Sequence, residues 1–375
     1  MKTGFDFKKL RKLMGEDEID CIIANSQESV YYTSNAYIIT VTNLKRFAGI
    51  VLPLDSDPLF AVHRNEEVTA RNSTWIKDLR VYEGGEWESL KAINFLANVI
   101  KEKGLEGKKI GLELMDMPAF WLDHLRNLLP TTEFVDAKPI LDVLKSVKSP
   151  AEIKHLSNAN MATAKAITVA FEMARPGDTE RDIALNMIDQ TLEYGADTVA
   201  FMTLGAGENI FETHPTPGEY KLKKGDLVHT DYGCFFDGYY SDISRMAVVG
   251  EPNKTQLEAY SIAVEAEQIT AEALEPGVKV IDVHNAVKNF YNSKGYEYNR
   301  AFIGHAIGIG VHEWPFLGPA HGDWILKPGM FFQVEPSMLI GKAKIHTEDA
   351  FVVKNKGPAE NVSLYRDVTE LQIIK

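Results

Sequence analysis

Residues Asp226–Gly250 read DLVHTDYGCFFDGYYSDISRMAVVG. Two strand-like runs flank Asp237-Gly238, a strong short-range signal for a tight hairpin. With these two residues as the turn, Phe236 faces Tyr239 and Gly233 faces Asp242. Asp231 lies two residues before Gly233, on the same face. The two aspartates are then diagonal neighbours, about 7–8 Å apart at Cα. Carboxylates that close repel each other unless a cation lies between them or one is protonated. On an exposed face both would simply be solvated, but LVHTDYGCFF is otherwise apolar and aromatic, which points to burial.

An internal echo surrounds this hairpin. A long helical pattern runs from Ala151 to about Ala174, ends at Arg175-Pro176-Gly177, and is followed by Asp182-Ile183. One hundred residues later another ends at Glu275-Pro276-Gly277, followed by Asp282-Val283. Gly195 and Gly295 close the next helix in each copy, and each copy then enters β segments. Proline and glycine often follow helices, but three matches in one register predict a duplication. A duplicated helix–helix–sheet unit predicts an α+β domain with its site where the two sheets meet.

Further downstream, Gly304–Glu313 (GHAIGIGVHE) sets His305 and His312 in a glycine-rich apolar segment. Met330–Pro336 (MFFQVEP) buries Glu335 in a strand, and Ile345–Val353 (IHTEDAFVV) places Glu348 beside another. Buried glutamates need partners. Asp231, Asp242, His305, Glu335 and Glu348 together offer four carboxylates and one imidazole. Such a set suits a pair of divalent ions, Mn²⁺, Co²⁺, Fe²⁺ or Zn²⁺. Two ions about 3.5–4 Å apart can activate water and polarise a carbonyl.

Upstream, residues 1–145 alternate apolar runs with helical patterns, which predicts an α/β layer domain. Asp20–Ala24, Ala48–Leu52, Pro58–Val62 and Lys109–Glu113 read as strands; Glu88–Lys103 and Pro118–Leu129 read as helices. Ser146–Pro150 (SVKSP) marks a boundary, leaving 146–375 as the second domain. The 375 residues carry 40 Lys+Arg against 53 Asp+Glu, a net charge of −13. That balance argues against a nucleic-acid or anionic-membrane binder, which needs a basic face. The only cysteines, Cys21 and Cys234, exclude a disulfide framework and a cysteine-rich zinc site. No apolar run is long enough to span a membrane. The charged N-terminus lacks the apolar core of a secretory signal, so a cytoplasmic protein is expected.

The order D-x-G…SDISR, G-H-x-x-G-x-x-x-H-E, E-P and E-D resembles the pita-bread metallopeptidase family, which includes prolidase, aminopeptidase P, methionine aminopeptidase and the metal-free relative creatinase. Val147–Ile153 (VKSPAEI) resembles the segment that opens the catalytic domain of the prolidase branch. Residues 1–145 resemble the creatinase/prolidase N-terminal domain by size, position and the Tyr31–Gly49 pattern. The resemblance implies that Asp231, Asp242, His305, Glu335 and Glu348 hold the two ions. It implies that His214 and His312 line the substrate cleft and hold the carbonyl oxygen or oxyanion, and that Glu335 also accepts a proton from the attacking water. Arg46 lies near a substrate-contacting arginine of creatinase-like relatives.

Three positions depart from the family. Phe316 follows Pro315 where prolidase has an arginine, and His346 stands where relatives carry another. Both sites would contact substrate, and both lose a fork suited to a carboxylate. Arg46, Lys342 and Lys344 are candidate substitutes. Ser337 follows Pro336 where a glycine is usual. The reading implied is dinuclear hydrolysis of Xaa-Pro bonds in short proline-containing peptides by a homodimer, with weak discrimination between Xaa-Pro and Xaa-Pro-Yaa. The alternative is a metal-dependent hydrolase or lyase of small-molecule C–N or C–S bonds. A binding protein that has lost turnover predicts broken ligand positions, and none is broken.

Overall fold

Residues 1–145 and 146–375 fold as separate units in the computed structural model, which describes residues 2–85, 88–340 and 343–375. Lys342 lies outside the described residues. The N-terminal unit is built on a six-stranded mixed sheet in the order β4-β3-β2-β1-β5-β6. Its strands are β1 (Cys21–Ala24), β2 (Gly49–Pro53), β3 (Leu59–His63), β4 (Asp78–Tyr82), β5 (Lys109–Leu112) and β6 (Glu133–Asp136). The four apolar runs in the sequence form the centre of this sheet. The two edges, DLRVY and EFVD, are partly exposed and too polar to stand out. Helices Leu90–Glu102 and Ala119–Leu128 pack Leu96, Ile100, Trp121 and Leu125 against Ile23, Val51 and Ile110. The charged N-terminal stretch forms helix Phe7–Glu16, capped by the Asp6 carboxylate, with Leu10 and Met14 buried one turn apart.

The second unit holds two five-stranded sheets and a two-stranded ribbon. The first sheet contains β7 (Thr198–Ala206), β8 (Leu227–Phe236), β9 (Tyr239–Tyr240) and β10 (Ile243–Val249). The second contains β11 (Gly304–Ala306), β12 (Glu313–Phe316), β13 (Phe331–Val334), β16 (Asp349–Val352) and β17 (Glu360–Asn361); β14 (Met338–Ile340) and β15 (Ala343–Ile345) form the ribbon. The C-terminal β18 (Gln372–Ile374) joins the first sheet beside β10. The hairpin takes the expected register: Phe236 pairs with Tyr239 and Asp231 with Ser244. Each half buries its own helices against its own sheet. Ile167, Phe171 and Met187 meet Val228 and Tyr232; Tyr260, Val283 and Val287 meet Phe332 and Val334.

The duplication is written in the backbone. Helices Pro150–Met173 and Glu180–Glu193 correspond to Lys254–Ala273 and Val280–Ser293. Gly177 donates to the Leu222 carbonyl and Gly277 to that of Leu326, both at 2.9 Å. Glu180 donates to Tyr220 as Val280 does to Trp324, and Arg181 to Gly218 as Ile281 does to Gly322. Gly177 and Gly277 have φ of +96° and +90°, a region that a Cβ disfavours. Gly225 donates to Val249 as Gly329 does to Val353, which aligns the strands as well. Asp231 and Glu335 consequently occupy equivalent positions, as do Ser244 and Glu348. The two sheets meet where Glu348 N–H donates to the Ser244 carbonyl at 3.2 Å, an isolated bridge between the halves.

Candidate metal centre

Five side chains converge at this seam. Asp231 comes from β8, Asp242 from the junction of β9 and β10, and His305 from β11; Glu335 follows β13 and Glu348 precedes β16. His305 Nε2 lies 3.7 Å from Asp242 Oδ2, 3.9 Å from Glu335 Oε1 and 3.7 Å from Glu348 Oε1. These distances exceed hydrogen-bond length. Asp231, Asp242 and Glu348 offer oxygens within 4.8 Å of one another, and Asp242, His305 and His312 form a second such group. Among the described residues, Asp231 Oδ1, Asp242 Oδ1 and Glu348 Oε1 are buried with no hydrogen-bond donor. Burial, reinforced by facing carboxylates, pushes Asp242 and Glu348 well above the usual carboxylate range. Burial acts on Glu335 in the same direction, but His346, His305 and Arg300 outweigh it and bring Glu335 down to about 2. Undonated buried oxygens, mutual repulsion and one imidazole fit divalent cations of the borderline-to-hard kind.

Polar contacts deeper in the fold aim these ligands. The Asn160 side-chain oxygen accepts from Asp242 N–H at 3.1 Å, and Gln333 Nε2 donates to both Asn160 Oδ1 and the Asp242 carbonyl, at 2.7 and 2.6 Å. Arg245 donates to the Glu348 carbonyl at 2.8 Å and to Asp349 Oδ1 at 2.6 Å, strapping the strand that carries Glu348. At Gly304 a Cβ would sit 2.2 Å from the Gln333 carbonyl, so only glycine lets β11 bring His305 this close. Lys148 Nζ and Glu313 Oε2 form a buried ion pair at 2.7 Å, and Glu313 Oε1 accepts from Gly310 N–H at 3.0 Å. That pair ties the loop before His312 to the start of the domain. Lys148→Met should destabilise the protein by about 3–5 kcal/mol, because the buried Glu313 carboxylate loses the ammonium paired with it. Chemical denaturation measures this; a variant as stable as the parent would show that the pair holds nothing.

The remaining sequence candidates fall in different places. His312 is exposed, with its ring centroid 4.1 Å from that of His305. Phe316 packs edge-on against His312 at 5.6 Å and stacks on His321 at 5.7 Å. His214 is exposed on the loop after Gly207–Phe211, and no contact among the described residues ties it to the cluster. Arg46 lines a cavity of about 260 Å³ within the N-terminal unit. The ring nitrogens of His346 lie 3.2 Å from Glu335 Oε2 and 3.2 Å from His229 Nε2, which puts it at the edge of the cluster. His229 is a residue the sequence reading passed over. It is buried, stacks on His346 at 5.0 Å, and lies two residues before Asp231 on the same face of β8. That spacing was the available signal.

The chain belongs to the metallopeptidase family M24, which it matches over residues 154–355, and it matches the creatinase/prolidase N-terminal domain over residues 7–147. It is thus a peptidase of a class that works with divalent metal ions, with an α/β N-terminal domain and an α+β pita-bread domain. It is 30% identical over 359 residues to the Xaa-Pro dipeptidase of Lactobacillus helveticus, covering 92% of this chain and 95% of that one. It is 27% identical over 355 residues to the Xaa-Pro dipeptidase of Pyrococcus horikoshii, covering 93% and 94%. A solved dipeptidase structure from Pyrococcus horikoshii superimposes with a TM-score of 0.86 at 27% identity, covering 98% of this chain and 99% of that one. No helix among the described residues is long and apolar enough to cross a membrane.

Proposed function

We propose that this protein hydrolyses Xaa-Pro bonds in short peptides at a dinuclear centre held by Asp231, Asp242, His305, Glu335 and Glu348. The observation that carries this reading is the meeting of those donors at the seam of the two sheets, with buried carboxylate oxygens that no donor satisfies. The full-length relatives from Lactobacillus helveticus and Pyrococcus horikoshii, both Xaa-Pro dipeptidases, support the substrate class. Residues 1–145 are the creatinase/prolidase-like N-terminal domain and 146–375 the catalytic domain. The ions are Mn²⁺, Co²⁺, Fe²⁺ or Zn²⁺, and the working enzyme is a cytoplasmic homodimer.

When bound, two divalent ions supply an activated water and polarise the scissile carbonyl. His312, beside His305 and open to solvent, donates to the oxygen on which negative charge develops. His214 supports the same oxygen from its loop. Glu335 accepts the proton released by the attacking water, while His346 holds its other oxygen. Phe316 fixes the His312 ring from the side and forms an apolar wall for the substrate.

A panel of Xaa-Pro dipeptides, Xaa-Pro-Yaa tripeptides and non-peptide amidines, assayed with Mn²⁺, Co²⁺ and Zn²⁺ in turn, tests the reading. Turnover is expected on the Xaa-Pro peptides and none on the amidines. Turnover confined to the amidines would replace it with a small-molecule C–N hydrolase.

A further inference from the structure

Neither position that carries a carboxylate-binding arginine in prolidase-like relatives does so here. Phe316 has no side-chain donor, and the ring nitrogens of His346 lie 3.2 Å from Glu335 Oε2 and 3.2 Å from His229 Nε2. Two other cations lie beside the centre. Arg300, on the segment leading into β11, has Nη2 3.8 Å from Glu335 Oε2, and its Nη1 donates to the buried Ser337 hydroxyl. Lys344, on β15, donates to the Glu212 carbonyl at 2.6 Å; burial and the nearby Arg300 lower its ammonium below the usual lysine range. Both line one cavity of about 490 Å³, walled also by Tyr298, Met338, Leu339 and Ile345. Glu297 and Asn299 line it too, so the cavity offers apolar walls together with two cations, one carboxylate and an amide, and the cations suit a small apolar ring that bears a carboxylate.

We propose that Arg300, oriented by Ser337 and assisted by Lys344, reads the C-terminal carboxylate of an Xaa-Pro dipeptide and makes this enzyme a dipeptidase. The assignment rests on the Xaa-Pro reading above and reverses the expectation of weak discrimination. A guanidinium presents paired, coplanar N–H donors that match a carboxylate in charge and direction. A glycine at position 337, usual in the family, offers no side chain to hold Arg300. The serine here and the two missing arginines are thus parts of one rearrangement: the fork has moved to the loop that precedes β11.

The test uses Mn²⁺-loaded enzyme and two substrates, Ala-Pro and Ala-Pro-amide, which differ in the terminal charge. Wild type should prefer the acid. Arg300→Ala should lower the acid-to-amide ratio of kcat/KM roughly ten- to a hundredfold, the scale of one charge-assisted hydrogen bond, mostly through KM. Arg300→Lys should restore part of that ratio, and Ser337→Gly should lower it by a smaller factor. An unchanged ratio in Arg300→Ala with normal metal content overturns the assignment. Should Arg300→Ala fail to fold or lose metal, the Ser337→Gly ratio decides: a drop upholds the assignment and no change overturns it. Calorimetry with L-proline and L-prolinamide separates the two readings. If wild type cleaves neither substrate, the Xaa-Pro reading falls, yet L-proline binding that weakens in Arg300→Ala upholds Arg300 as the carboxylate reader. L-proline binding indifferent to Arg300 overturns it.

Discussion

Glu348→Gln should bind at least one ion fewer than wild type and lose on the order of 10³-fold in kcat/KM. The expected size follows from what a metal contributes. Lewis-acid polarisation and water activation supply several kcal/mol of transition-state stabilisation, and each 1.36 kcal/mol is tenfold in rate. Glu348 is 2% exposed; the Ser244 hydroxyl donates to its Oε2 at 3.4 Å, but its Oε1 meets no donor among the described residues and is open to a cation. Its neighbours Asp231 and Glu335 oppose its ionisation in the absence of metal. Glutamine keeps the shape and removes the charge. In metal-free protein the substitution relieves repulsion among buried carboxylates, so the apo variant should melt no lower than apo wild type. Thermal melts of both apo proteins, read beside metal analysis by mass spectrometry, separate loss of metal from loss of fold. Full activity with unchanged metal content would sink the dinuclear mechanism.

Loss of the His312 side chain should lower kcat and kcat/KM together, by roughly 10²–10³, the range for removing one oxyanion donor. The geometry favours a transition-state role. His312 lies over His305 on the open side of the cluster, while Phe316 and the Lys148–Glu313 pair restrain its ring and its loop. A group held this way adds most where charge develops, so steady-state kinetics of His312→Ala should show little change in KM. A variant that changes KM alone would show that His312 only positions the substrate. His214 has no such restraint among the described residues, and its substitution by alanine should cost less than that of His312 in the same assay.

The parts of the site legible in the sequence are those fixed by local geometry. The Asp237-Gly238 turn sets the register of β8, β9 and β10, and a period of two then puts Asp231 and Asp242 on one face. Buried glutamates in apolar strands supplied Glu335 and Glu348. The repeated Pro-Gly positions marked the duplication, because positive φ after a helix constrains residue type strongly. Long-range pairing was beyond reach. Lys148 and Glu313 are 165 residues apart, and the His229–His346 contact joins residues 117 apart. Phe316 and His346 stand at the family's arginine positions, whereas Arg300 reaches Glu335 from a loop with no distinguishing pattern. In the N-terminal unit the apolar centre of the sheet was visible and its polar edges β4 and β6 were not, since half-exposed edge strands carry no continuous apolar run.

We propose that five side chains at the seam hold two ions that together drive peptide hydrolysis. The most direct test is to strip the protein with a chelator and titrate Mn²⁺ back while following Ala-Pro hydrolysis and bound metal on the same sample. The stripped protein should show no turnover, and activity should rise until two equivalents are bound per chain, with Glu348→Gln saturating at one and remaining inactive. Full turnover in the stripped protein, or full turnover at a single bound equivalent, would contradict it.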